Sequence, residues 1–328
     1  MSGGGAPLGP SIGVDIGGSK VLAVSLGAAG EIEAVEKLPI PPDAATDDVI
    51  AIVLAAAAAV TAAAGASVTL PLGVGCPGMV DREGVAHFCP NLHAFDGIDL
   101  RHELARRRPA ATTTIVVNDA TAACWAEHAN GAGKGSDDVL MVTLGTGIGG
   151  GAVLGGRLVE GAHGFAGEIG HMVIDPHGPP CPCGKKGCWE RYASGSALGR
   201  LGREAAQAGR LSTVVALAGG DPEAVRGEHV TRAALEGDPE ALEVMGAFAW
   251  WMALGLANLA NALDPSVIVL GGGLIEAERS FMGRIRDAFA DLAEAPGARK
   301  VEIFPAHFGE RSGAVGAGLL AVQRAGGE

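Results

Sequence analysis

Four side chains in one short span have the donor types of a metal site: His171, Cys181, Cys183 and Cys188. Zinc takes four nitrogen or sulfur ligands in a tetrahedron, and three cysteines with one histidine complete that set. The plainer alternative is three free thiols in a loop. Gly184 and Gly187 lie inside the span and let the chain fold back on itself, which favours the metal. No ligand position is spare, so the expected Zn²⁺ is structural rather than catalytic.

A second group carries acid chemistry. Asn118-Asp119 ends an apolar, β-branched run and opens a helical one. An aspartate there is either a helix N-cap or a general base that takes a proton from a substrate hydroxyl, and the pattern leaves both open. Glu168 and Glu190 flank the cysteine cluster. They are solvated acids or groups that hold sugar hydroxyls.

Four glycine-bearing turns follow four predicted strands: Gly17-Gly18-Ser19, Gly75-Cys76-Pro77-Gly78, Gly145 to Gly151, and Gly271-Gly272-Gly273. Backbone N–H groups in such turns grip phosphate oxygens, and α/β folds bind ligands at strand ends. One such loop is only a turn. Four together point to a phosphate-bearing ligand, and no Walker sequence is present.

The elements that must position these residues read as follows. Ile12 to Asp15 and Lys20 to Ser25 form a hairpin, with Glu31 to Leu38 a third strand. An alanine-rich helix spans Ala51 to Ala66, with Asp47 and Asp48 where an N-cap belongs, and a buried strand runs near Val68 to Gly75. Leu100 to Arg108 reads as helix, Thr114 to Val117 as strand and Thr121 to Asn130 as helix. Val139 to Leu144 enters the second glycine loop, with short strands at Ala152 to Leu154 and Arg157 to Glu160. The chain is then helical from Ala197 to Asn261, with a strand at Val267 to Leu270 and a last helix at Gly313 to Arg324. Strands alternating with helices give the α/β class, and two hairpin-led halves imply two lobes with a cleft.

Bulk properties narrow the partners. The 328 residues are 48% hydrophobic and 19% charged, enough for a packed core. A formal net charge of −13 repels nucleic acid and anionic lipid, so neither is expected as a partner. Six cysteines, three of them clustered, do not make a secreted disulfide framework; a reducing, cytoplasmic setting is expected. Met1 to Pro10 is rich in Gly and Pro, lacks the pattern of a signal peptide, and reads as a frayed tail. The uncharged stretch from Val49 to Val80 is long enough to span a bilayer, but its alanines insert poorly and it reads as a soluble helix and strand. Gly246 to Ala262 is similar, and Asn258 and Asn261 argue for a buried soluble helix.

Taken together, these motifs resemble the ROK family (repressor, open reading frame, kinase) over nearly the whole chain, from Ile12 to Leu320. Gly167-Glu168-Ile169-Gly170-His171 followed by Cys181-Pro182-Cys183-Gly184-Lys185-Lys186-Gly187-Cys188-Trp189-Glu190 is similar to the family's zinc motif. Asp15 to Lys20 is similar to its first phosphate motif, and Leu144 to Gly151 to its second. Leu263-Asp264-Pro265 and Leu270 to Gly273 are similar to its nucleotide-side segment.

The resemblance implies a two-lobed actin-like ATPase fold of the hexokinase and Hsp70 type, with an interlobe cleft. It implies residues 1–10 as a tail, 11–121 with 312–328 as a small α/β lobe, and 122–311 as a large lobe holding zinc. The implied reaction is ATP-dependent phosphorylation of glucose, with Mg²⁺ accompanying ATP. Asp119 is the implied base, and Gly78, Asn118, Asp119, Glu168, His171 and Glu190 are the implied sugar-side residues. Asp15, Gly17, Gly18, Ser19, Lys20, Thr143, Gly145, Thr146, Gly147, Gly272 and Gly273 are the implied nucleotide-side residues, with Asp15 a direct or indirect Mg²⁺ partner. Family kinases often carry tryptophan in the loop after Pro90-Asn91-Leu92; here His93-Ala94-Phe95 stands there, with Phe95 as the candidate lid aromatic. Relatives are commonly homodimers or homotetramers. Kinases of N-acetylmannosamine, N-acetylglucosamine or fructose share the motifs, and only one or two contacts separate them. Family repressors carry a DNA-binding domain ahead of the sugar-binding part, where this chain has about ten loose residues before the first strand.

Overall fold

A computed structural model describes residues 9–66, 69–89, 92–109, 112–275, 281–295 and 297–326. Residues 1–8 of the expected tail, Val68 at the start of one expected strand, and Pro90 and Asn91 of the expected sugar-side loop lie outside them.

The first apolar run forms β1 (Ser11–Ile16), β2 (Lys20–Leu26) and β3 (Ile32–Pro39), an antiparallel meander. In β3 alternate residues are half-buried and exposed, the mark of a strand with one wet face. Parallel strands β4 (Leu72–Cys76) and β8 (Thr114–Asn118) extend the sheet to the order β3-β2-β1-β4-β8. β4 is buried throughout, as a strand covered on both faces must be. Helix α1 (Thr46–Ala63) covers one face and buries Val49, Ile50, Val53, Ala56 and Val60. Each buried valine or isoleucine contributes about 1.5–3 kcal/mol. Its N-cap is Ala45 rather than Asp47 or Asp48. The Asp48 carboxylate instead accepts from the Ala45 N–H at 3.0 Å, because an acid in the first turn can reach back to the unpaired cap donor.

The other face carries helix α10 (Ser312–Ala325), which packs on β1, β4 and helix α3 (Asp119–Asn130). A Cβ on Gly13 would stand 1.9 Å from the Ala314 carbonyl, and one on Gly73 1.8 Å from that of Ala317. Backbone meets backbone there, which only glycine permits. The buried Glu127 ties α3 to the start of α10: its carboxylate accepts from Ala132, His307 and Phe308 N–H groups and the Ser312 hydroxyl.

A small sheet not anticipated from the sequence joins β5 (Met79–Val80), β6 (Val85–Phe88) and β7 (Ile98–Asp99). Strands of two to four residues leave too little alternation to read. Helix α2 (Leu100–Ala105) is shorter than expected. A second five-stranded sheet has the order β11-β10-β9-β12-β13, with β9 (Val139–Leu144), β10 (Ile148–Leu154), β11 (Arg157–Leu158), β12 (Val267–Gly271) and β13 (Glu302–Pro305). The helices that follow β11 are α4 (Glu190–Ala193), α5 (Gly195–Gln207), α6 (Ser212–Leu217), α7 (Gly227–Leu235), α8 (Pro239–Leu263) and α9 (Met282–Leu292). Helices α1 and α8 are long and apolar enough to cross a membrane by length and composition. Here α1 packs on its sheet and α8 packs against α7 and α9.

The chain divides into two compact units. One comprises Met1–Met141, Gly150–Gly167 and Ala306–Glu328; the other comprises Val142–Gly149 and Glu168–Pro305.

Candidate active site

In the first unit, the acid chemistry collects where β1, β4 and β8 end. Asn118 is the N-cap of α3: its side-chain oxygen accepts from the Thr121 N–H at 2.9 Å. Asp119 is therefore the first helical residue and not the cap. Its Oδ1 accepts from the Ala120 N–H at 2.8 Å and from Asn118 Nδ2 at 3.1 Å. The same Nδ2 donates to the Gly78 carbonyl at 3.0 Å, so both amide protons of Asn118 are used within the protein. Asn118 thus aims Asp119 and ties it to the Gly78 turn. That turn is shorter than expected, because Gly75 and Cys76 belong to β4.

Asp15 lies beside Asp119. A Cβ on Gly75 would sit 3.3 Å from Asp15 Oδ1 and 3.4 Å from the Asp119 Cα, and one on Gly313 2.8 Å from the Asp15 carboxyl carbon. Asp15 Oδ1 is buried without a protein hydrogen-bond partner. Burial holds the Asp15 carboxyl up at about 8, with the charges of Asp119 and Glu310 adding to the effect and Lys20 opposing it. A buried, orphaned acceptor suits a cation such as Mg²⁺.

The turn Gly17-Gly18-Ser19 is closed by the Gly17 N–H donating to the Lys20 carbonyl at 2.8 Å, with Gly18 and Ser19 exposed. Lys20 Nζ and Lys37 Nζ each lie 2.7 Å from the Glu310 carboxylate.

In the second unit, the turn between β9 and β10 is Gly145-Thr146-Gly147; the glycines from Gly149 to Gly151, expected in the loop, are strand. A run of glycines flanked by Ile148 and Val153 still pairs as a strand when its neighbours supply the packing. Thr143 is half-buried in β9. The Gly145 carbonyl accepts from the Gly195 N–H at 2.9 Å, which brings the start of α5 to this turn. Gly272 has φ +87°, and a Cβ there would sit 2.5 Å from the Leu144 carbonyl, so β12 ends against β9 through glycine alone.

Around these turns is a cavity of about 690 Å³, lined by Gly145, Thr146, Gly195, Ser196, Gly199, Arg203, Arg226, Gly227, Glu228, Thr231, Gly273 and Leu274. Its size suits a nucleotide. The residues from α5 and α7 were not singled out from sequence. Gly195, Gly199 and Gly227, spaced through helical segments, were the available signal.

The cysteine cluster forms as expected. Gly184 (φ +87°) and Gly187 (φ +68°) turn the loop back, and Val173 bridges to Cys188 and Pro180 to Lys186. The donor atoms of His171, Cys181, Cys183 and Cys188 all lie within 4.8 Å of one another. Cys183 Sγ and Cys188 Sγ are 3.6 Å apart, and Cys181 Sγ and His171 Nδ1 are 3.7 Å apart. Bonds of about 2.0–2.3 Å in a tetrahedron need ligands about 3.5–4 Å apart, so the set fits zinc. The loop is anchored by Trp189, fully buried, whose Nε1 donates to the Trp251 carbonyl at 2.9 Å. A Cβ on Gly255 of α8 would stand 2.0 Å from the Trp189 ring.

Histidine and acids meet at this cluster. His171 turns Nδ1 to the cysteines and Nε2 toward Glu168, 3.8 Å away. Glu190 Oε1 lies 3.1 Å from Cys181 Sγ, and a Cβ on Gly147 would be 2.5 Å from Glu190 Oε2. Burial raises the Glu168 carboxyl, His171 opposes the rise and the Glu190 charge adds to it.

One expectation fails. Phe95 is fully buried in the core of the first unit, packed with the cluster that holds Leu100 and Leu104, so it offers no lid aromatic. Within the short turn His93–Phe95, His93 is exposed and the apolar ring of Phe95 is the side chain that enters the core.

Residues 11–324 match the ROK family. The chain belongs to the ROK family. The match extends to whole proteins. A glucokinase of Streptomyces coelicolor is 38% identical over 326 residues, covering 96% of this chain and 98% of its own. An Escherichia coli N-acetylmannosamine kinase is 35% identical, covering 95% of this chain and 98% of its own. A crystal structure of a ROK family glucokinase from Streptomyces griseus, in complex with glucose and AMPPNP, superposes with a TM-score of 0.85 at 36% identity, covering 96% of this chain and 100% of that one. The expected α/β, two-lobed actin-like ATPase fold of the ROK kinases is borne out.

Proposed function

We propose that this ROK protein is an ATP-dependent sugar kinase that transfers a phosphoryl group from ATP to the 6-hydroxyl of glucose. The observation that carries the reading is the full-length likeness to glucokinases, including one crystallised with glucose and AMPPNP, joined to an acid held in place at a strand end.

The residues divide the work. Asp119 accepts the proton of the 6-hydroxyl as its oxygen attacks the γ-phosphorus. Hydrogen bonds from Ala120 and Asn118 to Oδ1 fix the carboxylate's plane before substrate arrives. Glu168, Glu190 and His171 Nε2 hold sugar hydroxyls, and Gly78 borders the sugar. The amides of Gly18 to Lys20, Thr146, Gly147 and Gly273 grip phosphate oxygens, while the Gly17 and Gly145 N–H groups close their own turns and Thr143 and Gly272 shape the strands behind them. The remainder of ATP occupies the cavity bordered by Gly199, Arg203 and Thr231.

Mg²⁺ supplies charge neutralisation on the phosphates, and Asp15 is the residue placed to hold it directly or through water. Zn²⁺ supplies structure only: His171 Nδ1, Cys181, Cys183 and Cys188 hold it and thereby direct Nε2. The likeness to N-acetylmannosamine kinases keeps that sugar as the second reading.

Replacement of Asp119 tests the assignment. Asp119→Ala should lose turnover by about 10²–10⁴-fold while glucose binding stays measurable by calorimetry. Near-normal turnover in that variant rejects Asp119 as the base.

A further inference from the structure

Two lysines close on one glutamate at the end of the first sheet, beside the turn proposed to take phosphate. Strand register gathers them. Asp15 of β1 pairs with Leu22 of β2, and Leu22 pairs with Lys37 of β3, so these three side chains share one face. Lys20 lies two residues before Leu22 and shares that face as well. It is the face that α10 covers: a Cβ on Gly313 would stand 2.8 Å from the Asp15 carboxyl carbon. Glu310 sits in the short turn Gly309–Arg311 that leads into α10. The buried Glu127 fixes the chain just ahead of it by accepting from the His307 and Phe308 N–H groups. Lys20 Nζ then donates to Glu310 Oε2, and Lys37 Nζ to Oε1, each at 2.7 Å.

We propose that Glu310 is the resting counterion of Lys20, that nucleotide phosphate displaces it, and that Lys37 then retains it. The proposal deepens the nucleotide-side reading and rests on it. All three side chains are nearly half exposed, so a phosphate can reach them. Gly18 and Ser19, whose amides are the proposed phosphate donors, are exposed and come directly before Lys20. An exposed ion pair is cheap to break, and an ammonium with three donors can exchange a carboxylate for a more highly charged phosphate. The carboxylate that Lys20 releases would repel that phosphate if it stood alone. Lys37 neutralises it and holds it aside, which makes Lys37 a positioning residue that touches no substrate. The field of the cluster already reaches the proposed Mg²⁺ partner: Lys20 lowers the Asp15 carboxyl and Glu310 raises it.

The two partners of the exchange therefore act in opposite directions on nucleotide affinity. Without Glu310 the Lys20 ammonium starts free. Without Lys37 the carboxylate is left to Lys20 alone, and phosphate must displace it into the open.

Calorimetry of MgAMPPNP and of glucose on full-length, zinc-loaded protein tests this. Glu310→Gln should tighten MgAMPPNP by about threefold, and Lys37→Gln should weaken it by about threefold. Glucose affinity should be the same in both variants as in wild type. Damage to the turn would weaken nucleotide binding in both, so the opposite signs separate the exchange from a structural role. A crystal structure with MgAMPPNP should show Lys20 Nζ on a phosphate oxygen and Glu310 on Lys37 alone. Unchanged nucleotide affinity in either variant, shifts of the same sign, or Lys20 still on Glu310 with nucleotide bound would each overturn the proposal. Wild type that binds no MgAMPPNP would remove the nucleotide reading itself and the exchange with it, whereas wild type that binds while the variants fail the sign test removes the exchange alone.

Discussion

Asn118 Nδ2 donates to the Gly78 carbonyl at 3.0 Å and to Asp119 Oδ1 at 3.1 Å. One amide thus joins the turn after β4 to the acid that begins α3. Its oxygen caps the same helix through Thr121. Asn118→Ala removes cap and aim together. Loss of the cap should cost about 1 kcal/mol in urea unfolding. Turnover should fall by about tenfold or more with little change in the ATP KM. A variant equally destabilised but fully active would remove the aiming role.

Glu127 is fully buried and accepts from four donors that bind α3 to α10. Glu127→Ala leaves the Ala132, His307 and Phe308 N–H groups without this acceptor, while the Ser312 hydroxyl keeps the Gly309 carbonyl. Unfolding free energy should drop by about 3 kcal/mol or more. A urea midpoint within error of wild type would show that water replaces the carboxylate.

Cys183→Ala removes one of four donors that lie within 4.8 Å of one another. Zinc content by plasma emission should fall far below one per chain, and the thermal midpoint should fall with it. Full zinc in this variant would mean that the ligand assignment is wrong.

The cavity beside α5 and α7 predicts a split between substrates. A Cβ on Gly199 meets the Gly227 N–H at 3.2 Å and Arg203 Nη1 at 3.4 Å. Gly199→Leu therefore fills space proposed for the nucleotide. Steady-state kinetics should show the ATP KM raised by about tenfold with the glucose KM nearly unchanged. Equal effects on both would place the nucleotide elsewhere.

Glu310 is held down at about 2, first by the hydrogen bonds from Lys20 and Lys37. A depressed carboxyl stabilises the fold above its unfolded value of 4.5 and loses that contribution as pH falls toward 2. All three groups are nearly half exposed, so the worth is under about 1 kcal/mol. Wild type should exceed Glu310→Gln slightly at pH 7, and the gap should close with falling pH and with added salt. A gap that widens in acid would contradict the pairing.

The legible parts of the chain were those with local chemistry. The cysteine set and its two glycine turns needed only donor types and backbone freedom, and the strand ending at Asn118 needed only a β-branched run. Which of Asn118 and Asp119 caps the helix was ambiguous in the sequence; the structure gives the cap to Asn118. Tertiary packing was not legible. Nothing near Phe95 marks it for burial, and nothing near Gly13 or Gly73 marks the approach of α10. The strands β5 to β7 are too short for a period, and the cavity draws on α5 and α7, whose small residues read only as helix.

The most direct test is ADP release by the purified, zinc-loaded protein with Mg²⁺ and ATP, measured across glucose, N-acetylmannosamine, N-acetylglucosamine and fructose. Glucose should give the highest kcat/KM, with glucose 6-phosphate as product. Release of ADP with none of these sugars, or a clear preference for another of them over glucose, would contradict the account.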